Sequence, residues 1–158
     1  MIWTRDSLEP VSVYHVKRYI DNQFFMRAAT ISINGKLHNI PSNFVRIGGK
    51  IYFDGDARSV KIKNIKRNGK ISLAMNSGKP FFDSRGVLIQ GKAKPVEDAE
   101  LRSKVYDALN EKAFACLRPS YTRYDIGTEK RVRIEIEPER VFAFHFERCK
   151  AIRGINLR

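Results

Sequence analysis

The stretch GDARSVKIKNIKRNGKIS, residues 55–72, has six basic side chains among the thirteen residues from Arg58 to Lys70. If this stretch forms a helix, Ile62 and Ile65 share one face, which predicts that they are the buried positions. The opposite face and the last turn hold three cations, namely Lys63, Lys66 and Arg67. Cations suit the carboxyl end of a helix dipole, so these three are expected to be a solvated face.

The first turn of this predicted helix carries two further cations, Arg58 and Lys61, beside Ser59. The amides at the start of a helix lack intrahelical partners and the dipole is positive there, so cations are unfavourable unless an anion is bound. The sequence therefore predicts an anion site here, and phosphate is the obvious ligand. The alternative is that Asp54 and Asp56, just upstream, neutralise the two cations.

Short strand patterns flank the basic helix on both sides. Upstream, the apolar and β-branched stretch 24–33 precedes Asn34-Gly35, a strong hairpin turn pair. The following residues, 36–47, predict one long strand, in which Pro41 marks an edge, a bend or a bulge. Near the end of the chain, Pro138 is predicted to end one alternating strand before another begins.

Two more helices are predicted, at about residues 7–22 and at 97–113. Short antiparallel strands with tight turns and few helices predict a mainly β fold, a small barrel rather than a doubly wound α/β sheet. A length of 158 residues is typical of one domain, so residues 1–158 are expected to form a single unit.

The formal net charge of +13 predicts weak, non-specific binding to polyanions. Cys116 and Cys149 form no C-x-x-C pair, and both are expected to be packing residues. The stretch MIWTRDSLEPVSV lacks the apolar run of a signal peptide, and no stretch reaches membrane-spanning length. A cytoplasmic protein without a membrane partner is therefore expected.

The sequence also resembles a known family between residues 24 and 146. In pyridoxamine 5′-phosphate oxidase-like, FMN-binding split β-barrels, Ser or Thr and then Lys open a short helix of the form K-x-x-N-[LI]. Ser59, Lys61 and Asn64-Ile65 match that pattern, and the strands GKISL and GKAKPV follow as in the family. The late stretch RVRIEIEPERVFAF is similar to the closing hairpin of the family. The resemblance implies an antiparallel, Greek-key-like split β-barrel of the FMN-binding type.

The resemblance further implies a homodimer with FMN at the subunit interface and a small-molecule substrate. Its phosphate would be held by Ser59 and Lys61, with Arg58 as an additional contact. The flavin ring would lie along the second strand, near the backbone groups of Ser42, Asn43 and Phe44, and Gly55 would lie under the cofactor. The chemistry would take place on the flavin, so the protein needs no catalytic acid or base, and none is predicted.

Two positions depart from the pattern of the oxidase itself. Val60 stands where the oxidase has an Arg that binds phosphate, and Gly86 stands where a Gln contacts the flavin. Substrate motifs of the true oxidase are also not evident near the end of the chain. Oxidation of pyridoxamine phosphate is therefore not expected, and the substrate stays open.

Three alternatives stay open at this point. The cofactor could be a deazaflavin, or the protein could bind flavin without turnover, as a sensor or store. A nucleic-acid-binding barrel is favoured by the charge and by RPSYTRYD (118–125), which interleaves aromatic and basic residues. In the flavoprotein interpretation, Tyr121 and Arg123 of that segment are instead candidates for the substrate side. The three histidines, His15, His38 and His145, are isolated and predict no metal or catalytic site.

Overall fold

A computed structural model describes residues 13–78, 84–115, 130–145 and 152–153. Within these residues the chain forms three helices and eight strands. The helices are α1 (Val13–Asp21), α2 (Val60–Asn68) and α3 (Ala99–Phe114). The strands are β1 (Phe25–Ile31), β2 (Leu37–Asn43), β3 (Val45–Ile47), β4 (Lys50–Asp56), β5 (Lys70–Ser77), β6 (Arg85–Pro95), β7 (Arg131–His145) and β8 (Ile152–Arg153). The prediction of a mainly β protein is confirmed.

The strands form one antiparallel sheet in the order β2-β1-β5-β6-β7-β4-β3, and β8 pairs with β7. The two strands at the ends of this order, β2 and β3, are neighbours in sequence and are joined through Phe44 alone. Because one residue cannot span a flat sheet of seven strands, the sheet must curl until its two edges meet. The result is a barrel that is split between β2 and β3.

Side chains that point into the barrel form the main hydrophobic core. Along β4 and β5 the inward positions are buried, as strand alternation requires. Phe44 and Phe53 are the largest side chains that are completely buried. A smaller cluster packs under α3 and contains Val45, Tyr52, Val96 and Val105.

Helix α2 is held against the barrel by the face that the sequence predicts. Ile62 and Ile65 are buried, and buried Asn64 donates from its side-chain amide to Thr30 Oγ1 of β1 at 3.1 Å. The helix ends at Gly69, whose φ of 66° is left-handed and whose amide donates to the carbonyl oxygen of Ile65. The prediction of a solvated basic face is confirmed, because Lys63, Lys66 and Arg67 are exposed.

The other two helices agree with the sequence prediction as far as they are described. Helix α1 covers the end of the interval predicted at 7–22, and residues 7–12 lie outside the described part of the chain. Helix α3 begins after Asp98, whose carboxylate accepts a hydrogen bond from the amide of Leu101 at 2.6 Å.

Two prolines test the strand predictions. Pro41 lies in β2, at an end of the sheet order, so its prediction as an edge position is confirmed. The prediction that Pro138 ends a strand is wrong, because β7 runs through it. The register with β6 shifts between Gln90 and Gly91, at the point where Pro138 pairs. This bulge accommodates a residue that has no amide proton to donate to the ladder.

Candidate functional site

The candidate site lies where β4 turns into α2, and its central group is the ammonium of Lys61. The Lys61 Nζ donates to Ser42 Oγ at 2.8 Å and lies 5.0 Å from the centroid of the Phe53 ring. Ser42 itself is buried, 6% exposed, and Lys61 is half-buried. Residues far apart in sequence thus place a cation against an apolar wall.

The pKa of Lys61 lies below its ordinary value of 10.5, chiefly because burial disfavours the charged form. The carboxylate of Asp54 acts in the opposite direction and raises this pKa, while the charge of Arg131 lowers it further. A bound anion stabilises a partly dehydrated ammonium of this kind, because its attraction offsets part of the hydration free energy that the ammonium loses on burial.

Both nearby carboxylates have other partners. Asp54 accepts two hydrogen bonds from the Arg131 guanidinium, each of 2.5 Å, in a bidentate pair. Asp56 accepts from the amide of Arg58 at 2.7 Å and from its guanidinium at 3.2 Å, contacts that lower the pKa of Asp56. Within the described residues neither carboxylate accepts a hydrogen bond from Lys61. Asp54 therefore binds Arg131 and Asp56 binds Arg58, while the hydrogen-bond acceptor of Lys61 is the neutral hydroxyl of Ser42.

The amino terminus of α2 adds hydrogen-bond donors beside Lys61. Ser59 is the N-cap residue, with φ −65° and ψ 150°, but its side chain accepts no capping hydrogen bond. Instead its hydroxyl donates to the carbonyl oxygen of Asp56 at 2.7 Å. Because the first amides of an α-helix have no intrahelical acceptor, the start of α2 presents N–H groups next to a cation. An anion such as a phosphate ester fits this set of donors.

Gly55 leaves room for the Lys61 side chain. A Cβ atom at Gly55 would lie 2.8 Å from Lys61 Cε and 3.2 Å from two carbons of Ile62. A larger residue would thus displace the lysine from Ser42 or lift α2 off β4. The prediction that Gly55 lies under a cofactor is untested; in the structure it lies under Lys61.

The predicted residues of the second strand lie at the split in the barrel. Ser42 faces inward, Asn43 is exposed, and Phe44 is completely buried between β2 and β3. In the described residues, β2 pairs with β1 on one side only, so its other row of backbone groups faces the split. These are the groups that a ring lying along β2 would meet.

The structure brings together Ser42, Gly55, Ser59 and Lys61, whereas Arg58 is 79% exposed and paired with Asp56. Tyr121 and Arg123 lie outside the described residues, so their assignment to the substrate side stays a prediction.

His15 and His38 lie on separate elements, α1 and β2. Among the described residues no group of His, Cys, Asp or Glu could hold a metal ion.

Two cations at this end of the barrel were not predicted from the sequence. Arg131 binds Asp54 and so removes it from competition for Lys61. Lys112, near the end of α3, lies with its Nζ 4.1 Å from the centroid of the Phe44 ring. Both are far from α2 in sequence, and no local motif marks either one. Only the register of β4 with β7 could have indicated the first, because it sets Arg131 opposite Asp56 and thus diagonally across from Asp54.

A separate cleft of about 560 Å³ opens on the outside of β1, β2 and β5. Pro41 and Arg27 line it, and the Arg27 guanidinium donates to the side-chain oxygen of Asn76 at 2.6 Å. Ser42 and Pro41 are adjacent in β2, so they point to opposite faces. The cleft and the Lys61 site are therefore on different sides of the strand.

Comparison with solved structures identifies this architecture. A conserved hypothetical protein of Mycobacterium tuberculosis superposes with a TM-score of 0.77 at 23% identity, covering 91% of this chain and 90% of that one. The heme binding protein of Mycobacterium smegmatis gives 0.76 at 15% identity, and this chain, 94% covered, spans only 60% of it. The FAD binding protein of the same organism gives 0.64 at 17% identity, over 86% and 96% of the two chains.

The fold is thus a split β-barrel with a basic helix packed beside the split. The family model described as pyridoxamine 5′-phosphate oxidase matches residues 14–145, and the chain belongs to that family. No curated protein matches the chain in sequence. In the part of the chain that the structure describes, no helix is both long and apolar enough to span a bilayer.

Proposed function

We propose that this protein is an FMN-dependent oxidoreductase whose cofactor phosphate binds at the start of α2. The observation that carries the proposal is the half-buried Lys61 ammonium, which donates a hydrogen bond to Ser42 Oγ and to no carboxylate among the described residues. A doubly charged phosphate supplies the missing counter-charge and accepts from the α2 amides at the same time.

Ser59 and Lys61 would hold the phosphate, and the unpaired edge of β2 near Ser42, Asn43 and Phe44 would meet the ring. Gly55 supports this arrangement indirectly, because it lets Lys61 lie across β4. Arg58 is bound by Asp56, so its contact with the cofactor would require this pair to open. The bound flavin supplies hydride and electron transfer, and the residues of the chain bind it, orient it and shield it from water.

The relatives support a flavin as the cofactor class. Two structural neighbours are named as FAD binding proteins, one from Mycobacterium smegmatis and one from Mesorhizobium loti, and another is named as a heme binding protein. We favour FMN because one lysine at one helix start suits a single terminal phosphate. A deazaflavin with a similar phosphate is the competing cofactor.

The cofactor-binding site would be completed by a second copy of the chain. Two apolar side chains lie exposed on the outer face of the sheet, Phe25 at 63% and Leu88 at 38%. Burying such groups across a two-fold axis would stabilise a homodimer with the split of each barrel beside its partner. Light scattering on the purified protein measures the mass, and a strict monomer would contradict this part of the proposal.

Titration of the purified protein with FMN tests the cofactor. We expect quenching of flavin fluorescence with saturation at one FMN per chain, and a competing titration with a deazaflavin ranks the two cofactors. FMN fluorescence that stays unaltered at high protein concentration would overturn the proposal.

Turnover is tested separately from binding. An oxidoreductase is expected to pass electrons from NADH or NADPH through its bound flavin to an acceptor, with bleaching and recovery of the visible spectrum. A protein that binds FMN but is never reduced by either donor is instead a flavin sensor or store. We further place the protein in the cytoplasm, where these donors are available.

A further inference from the structure

Charge is distributed very unevenly along this chain. Between Asn22 and Phe82 there are eleven Lys or Arg residues and two acidic residues, Asp54 and Asp56. Both acidic residues are bound by arginines, Arg131 and Arg58. Arg46 and Lys50 of this segment pair with acidic residues outside it, Asp21 and Glu135. Four other described cations are exposed and form no salt bridge with a described acidic residue, namely Lys36, Lys63, Lys66 and Arg67.

One group of these cations surrounds the β1–β2 hairpin. The Arg67 guanidinium, in the last turn of α2, donates to the carbonyl oxygen of Ile31 at the end of β1. This contact places the exposed side of α2, which also carries Lys63 and Lys66, beside the hairpin. Lys36 adds a fourth exposed cation within the turn itself.

Two exposed aliphatic side chains flank the turn of the same hairpin. Ile33 is 79% exposed and Leu37 is 76% exposed, the two highest values among the exposed large hydrophobic residues of the described chain. The turn is closed by two hydrogen bonds: the amide of Ser32 donates to the carbonyl oxygen of Lys36 at 2.9 Å, and the amide of Lys36 donates to Ser32 Oγ at 3.0 Å. Gly35, at φ 74°, supplies the left-handed residue that the turn needs. The two aliphatic side chains are therefore held in water by a defined turn.

We propose that this face docks on an anionic phospholipid bilayer, with the hairpin tip inserted between the headgroups. We call it the docking face and define it as Ile33, Lys36, Leu37, Lys63, Lys66 and Arg67. The cations bind lipid phosphates, and the two aliphatic side chains enter the boundary between headgroups and acyl chains. Such binding is peripheral and needs no membrane-spanning helix.

The side chains favour lipid over nucleic acid. Nucleic-acid surfaces combine cations with aromatic rings that stack on bases, and the docking face has none. Branched aliphatic groups gain free energy on leaving water for an acyl environment but gain nothing from stacking. The proposal does not depend on the cofactor, because Lys61 and Ser42 lie at the inner side of α2.

Sedimentation of the full-length protein with sucrose-loaded vesicles tests the proposal. We expect binding to vesicles that contain about one third phosphatidylglycerol and none to pure phosphatidylcholine. The double variant Lys63→Gln/Lys66→Gln should bind about 25-fold more weakly, since a lysine near an anionic surface contributes roughly fivefold. Lys92→Gln/Lys94→Gln is the matched control, because these lysines are 79% and 74% exposed and lie near glutamates. The control should change binding less than threefold.

The hairpin variant separates lipid docking from simple charge attraction. Ile33→Ser/Leu37→Ser keeps every charge and, since both side chains are exposed, should keep the melting temperature of the wild type. We expect it to bind the anionic vesicles at least tenfold more weakly. Binding that is insensitive to this variant, or a stronger complex with a single-stranded oligonucleotide at 150 mM salt than with vesicles, would overturn the lipid proposal. Equal loss in the control lysine pair would overturn it too.

Discussion

Replacing Lys61 by Met gives the sharpest test of the proposed site, because it should change cofactor binding and protein stability very differently. The methionine keeps the length and most of the volume of the side chain but removes its charge. A hydrogen bond between a charged donor and a phosphate contributes about 1.5–3 kcal/mol, so FMN should bind about 10- to 150-fold more weakly.

The stability of the apoprotein should barely change in the same variant. The substitution removes a half-buried ammonium whose pKa is lowered by burial, and this gain offsets the hydrogen bond lost by buried Ser42. The two effects are each about 1 kcal/mol, so the free energy of unfolding should stay within about 1 kcal/mol of wild type.

Flavin fluorescence titration gives the dissociation constant, and urea unfolding followed by circular dichroism gives the stability. Lys63→Met is the matched control, because it removes one charge from the exposed face of the same helix. The control should bind FMN within about twofold of wild type. If Lys61→Met retains the wild-type affinity, or if the control loses as much affinity, the phosphate does not bind at Lys61.

Three further substitutions test other parts of the structure. Gly55→Ala should weaken FMN binding about tenfold, measured by the same titration, because its Cβ would lie 2.8 Å from Lys61 Cε. Gly91→Ala should destabilise the protein by about 3 kcal/mol in urea, since its Cβ would lie 2.3 Å from the carbonyl oxygen of Glu137; wild-type stability would contradict the bulge geometry. The pKa of Glu135 is raised by burial but lowered more by Lys50 and its other partners, so the net shift is downward from 4.5. The stabilisation by ionised Glu135 is therefore present above pH 4.5 and lost on acidification. Below pH 4.5, the free energy of unfolding should fall less steeply with pH in Glu135→Gln than in Glu137→Gln.

Much of the fold could be predicted from local patterns. Alternation in the strands, the Asn34-Gly35 turn and the spacing of Ile62 and Ile65 each reflect interactions between near neighbours, and the structure agrees with them. The error at Pro138 has a different origin. A proline ends a strand only if the neighbouring strand cannot form a bulge opposite it. Here the residue that pairs with Pro138 is Gly91, about fifty residues away in sequence, so no local pattern reveals the bulge.

The part of the candidate site that is local in sequence could also be predicted. Ser59 and Lys61 share one turn, so the helix dipole alone could indicate an anion. The competing carboxylates could not be judged from sequence, because Asp54 is bound by Arg131 and only Asp56 binds its neighbour Arg58. Neutralisation of both cations by Asp54 and Asp56 was the alternative to an anion site, and the diagonal contact of Asp54 with Arg131 across β4 and β7 could not be inferred from local sequence.

The pairing of β4 with β7 also has a consequence for how the protein is made. Asp54 meets its partner Arg131 only after a further 77 residues have left the ribosome. Until then, this carboxylate is free to reach the ammonium of the basic helix and compete with any incoming anion. If the proposed phosphate binds here, its binding during synthesis should therefore be inefficient until β7 pairs with β4 and closes the barrel.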